Sequence, residues 1–362
     1  MKLPIDLKAL IEAATDIESA RNTPVSVSVL IDDSAPGDVA AHVRSAFVGA
    51  GAHARVTVGY FAGPAFSPYE GDDMAVIVAG FSEEVGRRAA EIRAAGVPVM
   101  VVTSMPRLVA DMASAYGNPI PEGDLVAPEG VEGCEADGDA TCESGDVAGV
   151  NAQPPEILDA PIPVDAAAAA ALDRRMGEWV VAACREKRLA LALSFPFVRR
   201  PLSLEAVSAT SLQNAGIGLV LFIPGADMPL MTLNQAKMLL QIAAAYGEPM
   251  SVARVKELAA IVGGAFACRS VARQVAGAVP AIGWAVKAGV GYAGTKAMGL
   301  AAVEYFERGG NIAGLAGVVS TATAKATQIA GNVAATPAGA RVLSTVKAAV
   351  RQGAASVLKK TE

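Results

Sequence analysis

The chain has few of the side chains that most often carry out metal and nucleophile chemistry. Only 2 histidines occur among 362 residues, and the 4 cysteines do not follow a zinc-binding spacing. Cys134 and Cys142 lie in an acidic segment, where we expect both to be loop thiols. Aromatic residues make up 5% of the chain although 52% is hydrophobic. This composition argues against a His-based catalytic or metal site and favours closely packed small side chains.

Long hydrophobic runs are also missing. Residues 206–226 carry no charge but include several polar side chains, and the other uncharged runs are shorter than the roughly 20 residues of a spanning helix. The amino-terminal stretch has acids throughout and no apolar core of the signal-peptide type. A simple transmembrane protein is therefore disfavoured, and the sequence predicts a chain that starts in the cytoplasm.

Basic residues are absent from the middle of the chain. Residues 1–120 carry 9 basic and 14 acidic side chains, residues 121–164 carry 0 and 11, and residues 165–362 carry 21 and 11. The acidic middle part is rich in glycine and proline, so we expect a disordered linker there. The predicted domains are 1–120, a linker 121–164, a helical domain 165–310 and a basic helical tail 311–362.

The first domain is predicted to be an α/β domain with a parallel sheet. Apolar and β-branched runs at 25–30, 54–60, 74–80 and 97–103 alternate with helix-like stretches, which is typical of strands buried on both faces. From Val164 onward the pattern is helical, and residues 165–193 are predicted to form one long helix with Asp165 as its N-cap. The predicted fold class is an α/β domain followed by a mainly α-helical domain.

Asp227 lies between two apolar runs and is a candidate for a catalytic carboxylate. However, Pro224 and Gly225 predict a turn before it, Pro229 suits the first turn of a helix, and Gly247 is a typical helix stop. No acid or base partner is near Asp227 in the sequence. We therefore predict that Asp227 caps the N-terminus of a helix.

Several motifs in the helical half resemble a known family. They are PGAD, QAKMLLQIAAAYG, VPAIG, and GTKAMG followed by an aromatic pair. These stretches are similar to an uncharacterised bacterial helical domain family, which is found fused to Era-like small GTPases and in inner-membrane proteins of the YcjF type. The resemblance covers residues 165–310. It implies association with membranes and GTPase modules, and it implies no catalytic residue.

The same resemblance suggests that the first domain is a degenerate GTPase-like domain. No Walker A motif occurs in the chain, and Thr103, Ser104, Met105 and Pro106 stand where a guanine-recognition Asn-Lys-x-Asp would lie. An ordinary flavodoxin-like or Rossmann-like domain is the alternative. Both interpretations predict no P-loop GTP hydrolysis, and no catalytic residue or cofactor is predicted.

The loop after the first strand carries three acids where a phosphate-binding loop would lie. Asp32 and Asp33 follow the strand directly and are candidate ligands for a divalent cation, as in receiver-like sheets. A sensor or enzyme that binds a small ligand or metal is therefore the alternative function. The other interpretation makes these residues solvated loop acids, with Asp38 as the N-cap of the next helix.

The predicted partner is a membrane. The segments 206–226 and 271–303 would form either a hairpin in the bilayer or the buried core of a soluble bundle. The tail 341–360 has the spacing of a basic amphipathic helix, which suits an anionic membrane surface or the helical domain. Nucleic acid is not expected, because the basic residues are scattered and lack interleaved aromatics.

The leading hypothesis is therefore a non-enzymatic, membrane-associated or scaffold protein at the inner face of the cell membrane. We expect a protein partner, for which a GTPase is the class that the resemblance implies, or self-association into a homo-oligomer.

Overall fold

The chain divides into two compact units. A computed structural model describes residues 6–51, 53–62, 71–128, 161–220, 227–262 and 283–321. The sheet unit is Thr23–Val198, and the helical unit combines Met1–Asn22 with Arg199–Glu362.

The sheet unit contains one parallel β-sheet. Its strands are β1 (Val25–Ile31), β2 (Ala54–Tyr60), β3 (Met74–Val78), β4 (Val99–Val102) and β5 (Leu125–Val126), in the order β2-β1-β3-β4-β5. In the central strand β1, Val27 lies opposite Val56 on one side and Met74 on the other. This is the strand order of the flavodoxin-like doubly wound sheet. The predicted parallel α/β sheet is confirmed.

Helices cover the sheet, so its central strands are buried on both faces. Every residue of β1, β3 and β4 is buried. The helices of this unit are α2 (Gly37–Val48), α3 (Glu84–Ala94), α4 (Pro106–Ala115), α5 (Ala166–Ala183) and α6 (Arg188–Ser194). Leu30, Ile77 and Val101 pack with apolar side chains of α3 and α4 in one core cluster. Elsewhere in the unit, the ring of Phe47 lies 4.9 Å from that of Phe195.

The fifth strand lies inside the segment predicted to be a linker. Leu125–Val126 pairs with Val101 and Val102 of β4, and α5 contacts this edge because the Trp179 Nε1 donates to Asp124 at 3.2 Å. A two-residue strand shows no alternation, and tertiary contacts decide its pairing. Residues 121–128 are therefore not linker, contrary to expectation, while residues 129–160 lie outside the described residues.

The helices after this segment begin as predicted but break earlier. The Asp165 carboxylate caps α5 by accepting the N–H groups of Ala167 and Ala168. The expected single helix ends at Ala183, because a turn at Cys184 leads into α6. Both helices belong to the sheet unit, whereas the sequence prediction placed them in the helical domain. The predicted domain boundaries stay predictions.

The helical unit is built from long helices. They are α1 (Leu7–Arg21), α7 (Pro196–Val220, from Arg199 onward), α8 (Asp227–Ala245), α9 (residues 252–262), α10 (Gly283–Glu307) and the short α11 (residues 315–321). Apolar side chains of these helices are fully buried, among them Leu10, Leu239, Leu258, Met298 and Leu315.

The end of α8 agrees with the sequence prediction. Gly247 has φ +91°, a conformation that favours glycine and ends the helix. The Arg21 guanidinium of α1 donates to the carbonyls of Gly247 and Glu248 at 3.3 and 2.6 Å. At the other end, α8 begins at Asp227, but the predicted capping by its side chain lies outside the described side chains.

In the described part of the chain, no helix combines the length and apolar character needed to cross a membrane. Of the predicted hairpin segments, only residues 206–220 and 283–303 are described, and the tail 341–360 lies outside the described residues.

Gly299 marks a close approach of α10 to α7. A Cβ at Gly299 would lie 2.4 and 2.8 Å from the two Cγ atoms of Val207, whose β-branched side chain is stiff. Gly294, in the same helix, has no atom within 4 Å of the corresponding position. The glycine at 299 is therefore required by packing, and the glycine at 294 is not.

We predict that Gly299→Ala lowers the free energy of unfolding by about 1–3 kcal/mol through overpacking. Gly294→Ala is the matched control and should be neutral or stabilising by up to about 1 kcal/mol, because alanine favours the helix. Urea denaturation of the full chain measures both. Equal effects of the two substitutions would contradict the close approach.

Candidate functional site

The candidate ligand site lies at the carboxyl ends of β1 and β3. In a sheet of this order, the connections leave β1 and β3 toward opposite faces, and ligands of such folds bind in the crevice at that switch point. The β1 loop (residues 32–36) and the β3 loop (residues 80–83) meet there. The predicted metal ligands Asp32 and Asp33 both belong to the β1 loop.

Asp32 joins the two loops through its buried carboxylate. Its side chain is 3% exposed, and its Oδ1 accepts the N–H of Ser34 at 3.0 Å. Its Oδ2 accepts the N–H groups of Gly80 at 2.8 Å and Ser82 at 3.2 Å. Both carboxylate oxygens are thus engaged by backbone donors, and this engagement offsets the cost of burying the charge.

The two loops also touch directly. The Oγ of Ser34 accepts the N–H of Phe81 at 2.7 Å. A Cβ at Gly80 would lie 2.3 Å from the carbonyl carbon of Ser34 and 2.5 Å from the nitrogen of Ala35. The loops therefore pack against each other at the switch point, and only glycine fits at position 80.

Asp33 is exposed, and its carboxylate binds the segment that follows β2. Its Oδ2 accepts the N–H of Ala62, after β2, at 2.7 Å. Within the described residues, no group of three or more His, Cys, Asp or Glu side chains is arranged to hold a metal ion. The assignment of Asp32 and Asp33 as metal ligands stays a prediction.

The turn that follows β4 is buried. Thr103, Ser104 and Met105, which stand where a guanine-recognition motif would lie, are at most 1% exposed. The Oγ1 of Thr103 accepts the N–H of Met105 at 3.1 Å, and Pro106 begins α4. These three side chains form part of the core, so this turn does not present them to a ligand.

The chain crosses the same edge of the sheet again before α5. The N–H of Ile162 donates to the carbonyl of Ser104 at 3.1 Å, and the N–H of Val164 donates to Asp38 at 2.9 Å. Residues 162–164 therefore run from the end of β4 to the first turn of α2. Asp38 is not the predicted N-cap, because α2 already begins at Gly37 and its cap residue is Pro36.

The histidines have no catalytic constellation in the described residues. The Nε2 of His42 in α2 lies 2.8 Å from the Asp173 Oδ1 in α5, and the backbone carbonyl of His53 accepts the N–H of Val25. The pair of His42 and Asp173 is partly exposed and links two helices of the sheet unit. Its position indicates a structural role.

A second group of acids, missed from the sequence, lies at the amino ends of β1 and β3. The buried Asp72 carboxylate accepts hydroxyl hydrogen bonds from Ser26 at 2.6 Å and Ser28 at 2.5 Å. Asp73 accepts the N–H of Ser26 and pairs with Lys187 at 2.6 Å. The alternating serines of VSVSV were the available signal, because hydroxyls in a buried strand need partners.

Cys184 lies next to this group and is chemically inert. Its thiol is buried, with Sγ 3.9 Å from the carbonyl oxygen of Asp73. Burial first, and the Asp73 carboxylate second, raise the pKa of Cys184 from 9.0 to about 12. A thiol in this state is protonated at neutral pH and a poor nucleophile.

A buried hydrogen-bonded cluster, the amide junction, joins α7, α8 and α10 in the helical unit. The Asn214 Nδ2 donates to the Thr295 Oγ1 at 2.9 Å and to the carbonyl of Met231 at 3.3 Å, and Gln235 Nε2 donates to the same Thr295 Oγ1 at 2.9 Å. The Asn234 Nδ2 donates to Asn214 at 3.1 Å. Asn214, Gln235 and Thr295 are at most 2% exposed.

Two of the motifs that carry the family resemblance, QAKMLLQIAAAYG and GTKAMG with its aromatic pair, contribute to these helix contacts. Gln235 and Thr295 of the QAKML and GTKAMG motifs lie in the amide junction, and Tyr246 stacks on Phe306 of the aromatic pair at 6.0 Å. Burial first, and the Glu307 carboxylate second, raise the pKa of Tyr246. In the described residues, these motif side chains therefore serve packing.

Comparison with models of known families, with curated proteins and with solved structures finds no match to this chain. The resemblance to the GTPase-fused helical family therefore stays a prediction. The fold alone defines the class: an α/β region with a five-stranded parallel sheet and a helical region.

We predict that Gly80→Ala forces the β1 and β3 loops apart and lowers the free energy of unfolding by about 1–3 kcal/mol. Gly37→Ala is the matched control, because it lies next to the β1 loop and no atom is within 4 Å of its added Cβ. Thermal melting followed by circular dichroism compares the two. A neutral Gly80→Ala variant would contradict the packing of the loops.

We also predict that Cys184 makes stability fall with pH in the alkaline range. The unfolded thiol ionises from about pH 9, while the folded thiol stays protonated to about pH 12. The contribution of Cys184 is thus fully present below pH 9 and lost as pH rises toward 12. The difference in unfolding free energy between wild type and Cys184→Ala should shrink over this range.

Cys134→Ala is the control for this measurement, because it removes a thiol of the predicted acidic linker. Urea titrations under reducing conditions, at about pH 8 and at about pH 10.5, give the required free energies. A pH-independent effect of Cys184→Ala would contradict the buried state of this thiol.

Proposed function

We propose that this protein is a non-enzymatic, membrane-associated or scaffold protein whose sheet unit acts without a bound nucleotide. The observation that carries this proposal is the occupation of the switch point. The Asp32 carboxylate uses its oxygens on the N–H groups of both loops, and the turn after β4 buries Thr103 and Ser104. At these positions, the polar groups that an enzyme would direct at a substrate are either bonded to the backbone, as at Asp32, or buried, as at Ser104.

The helical unit supports a role in assembly. Its motif residues join helices, since Thr295 and Gln235 bond to each other and Gly299 permits the contact with Val207. Small residues at helix contacts suit packing in water and in lipid alike. The membrane is proposed from the uncharged segment 206–226, from the basic tail 341–360 and from the family resemblance.

The proposed location is the cytoplasmic face of the cell membrane. The net charge of the tail favours an anionic surface, since Lys and Arg near such a surface each contribute about 1 kcal/mol of binding free energy. The proposed protein partner is a GTPase, which is the class that the resemblance implies. Descent of the sheet unit from a GTPase-like domain is part of the same proposal, whereas its strand order matches the flavodoxin-like alternative.

The alternative function is a sensor or enzyme that binds a small ligand or divalent metal at residues 32–38. The exposed Asp33 at the carboxyl end of β1 favours it. The observation against this alternative function is that the Asp32 carboxylate already accepts three backbone hydrogen bonds. Stabilisation by Mg²⁺ that is lost in Asp33→Asn would support this alternative, and melting that does not depend on Mg²⁺ would end it.

We predict that the full chain floats with anionic lipid vesicles and not with neutral phosphatidylcholine vesicles. The substitutions Lys359→Gln and Lys360→Gln should weaken this flotation, because they remove tail charge near the surface. The matched control is Arg44→Gln with Arg185→Gln, which removes the same charge from exposed positions of the sheet unit. Sucrose-gradient flotation measures the bound fraction.

Washing distinguishes the two modes of membrane association. Release by high salt alone indicates a surface held by charge, since salt screens such contacts. Retention through a carbonate wash indicates that the hairpin segments enter the bilayer. Absence of flotation with every vesicle composition would overturn the membrane role.

A further inference from the structure

We propose that Asp32 is a built-in anionic ligand: its carboxylate fills an anion-binding cradle of backbone N–H groups at the switch point. The cradle consists of the N–H groups of Ser34, Gly80 and Ser82. Without the Asp32 side chain, it would take a small carboxylate such as formate. This inference deepens the proposed nucleotide-free role of the sheet unit, but it does not depend on membrane binding.

The donors of the cradle come from both loops and converge on one carboxylate. Ser34 belongs to the β1 loop, at 3.0 Å from Oδ1, while Gly80 and Ser82 belong to the β3 loop, at 2.8 and 3.2 Å from Oδ2. Backbone N–H groups that converge on a concavity are a general anion-binding device. Here the anion is supplied by the chain itself.

The cradle is held in place by contacts that do not involve the Asp32 side chain. The backbone N–H of Asp32 donates to the carbonyl of Val78 at 3.0 Å, and its carbonyl accepts the N–H of Ala35 at 2.9 Å. The Oγ of Ser34 accepts the N–H of Phe81. Truncation at Asp32 therefore leaves the three donors close to their positions, with an empty space between them.

Occupation by Asp32 also explains why this switch point does not suit phosphate groups. A phosphate would need the same N–H groups, and they are already bound to a carboxylate that is 3% exposed. The exposed acids Asp33 and Asp38 add negative charge to the same loop and its helix. The sheet unit thus excludes the anionic ligands that doubly wound sheets usually bind at this place.

The test is rescue of Asp32→Ala by an anion. Asp32→Ala should melt at a lower temperature than wild type in sodium chloride, because one buried and two partly buried N–H groups lose their acceptor. Replacing chloride by sodium formate at equal ionic strength should raise its Tm by about 3 °C or more, with saturation. Wild type and Asp33→Ala should show no such specific increase.

Asp32→Asn keeps the test decisive if Asp32→Ala does not fold in chloride. The amide fills the same space but places an NH2 group against backbone donors, so this variant should be less stable than wild type and insensitive to formate. Recovery of the native circular dichroism spectrum of Asp32→Ala on refolding in formate would support the proposal.

Three results would overturn it: a folded Asp32→Ala that responds equally to formate and chloride, an Asp32→Ala that stays unfolded in both salts, or an Asp32→Asn as stable as wild type. The proposed membrane role fails on a different result, the absence of vesicle flotation. The two proposals are therefore tested separately.

Discussion

The Asp32 carboxylate is the interaction on which the carboxyl edge of the sheet depends. It bonds to the β1 loop through Ser34 and to the β3 loop through Gly80 and Ser82. A buried charge without such donors would be strongly destabilising. The loops therefore have to stay together, and the absence of a Cβ at Gly80 lets their backbones touch.

The opposite edge of the sheet follows the same principle. Asp72 accepts the hydroxyls of Ser26 and Ser28, and Asp73 pairs with Lys187 just before α6. Aspartates thus tie the segments around β1 and β3 at both ends of these strands. Each of them is satisfied by nearby donors of the sheet unit, so an acidic residue at a strand end is here a structural element.

In the helical unit, amides take the place of carboxylates. The amides of Asn214 and Gln235 both donate to the Thr295 Oγ1 in a buried contact between three helices. Buried polar groups of this kind restrict the helices to arrangements in which the partners meet. The two described motifs that suggested a family resemblance, QAKMLLQIAAAYG and GTKAMG, therefore contribute side chains to helix packing.

The sequence by itself determined the features that depend on neighbouring residues. The β-branched runs predicted four strands, Asp165 was identified as a cap, and Gly247 as a helix stop, because strand burial, capping and left-handed turns have local signatures. The sequence also showed that a Walker A motif is missing. It did not reveal the two-residue strand β5 or the break between α5 and α6.

Only the tertiary structure decided what the polar side chains do. Asp32 and Gly80 are 48 residues apart, and Asn214 and Thr295 are 81 residues apart. Such pairs have no periodicity to detect, since the strand order and the helix packing bring them together. From the sequence, Asp32 was therefore predicted to be a loop acid or a metal ligand. In the folded protein, its carboxylate accepts three backbone N–H groups.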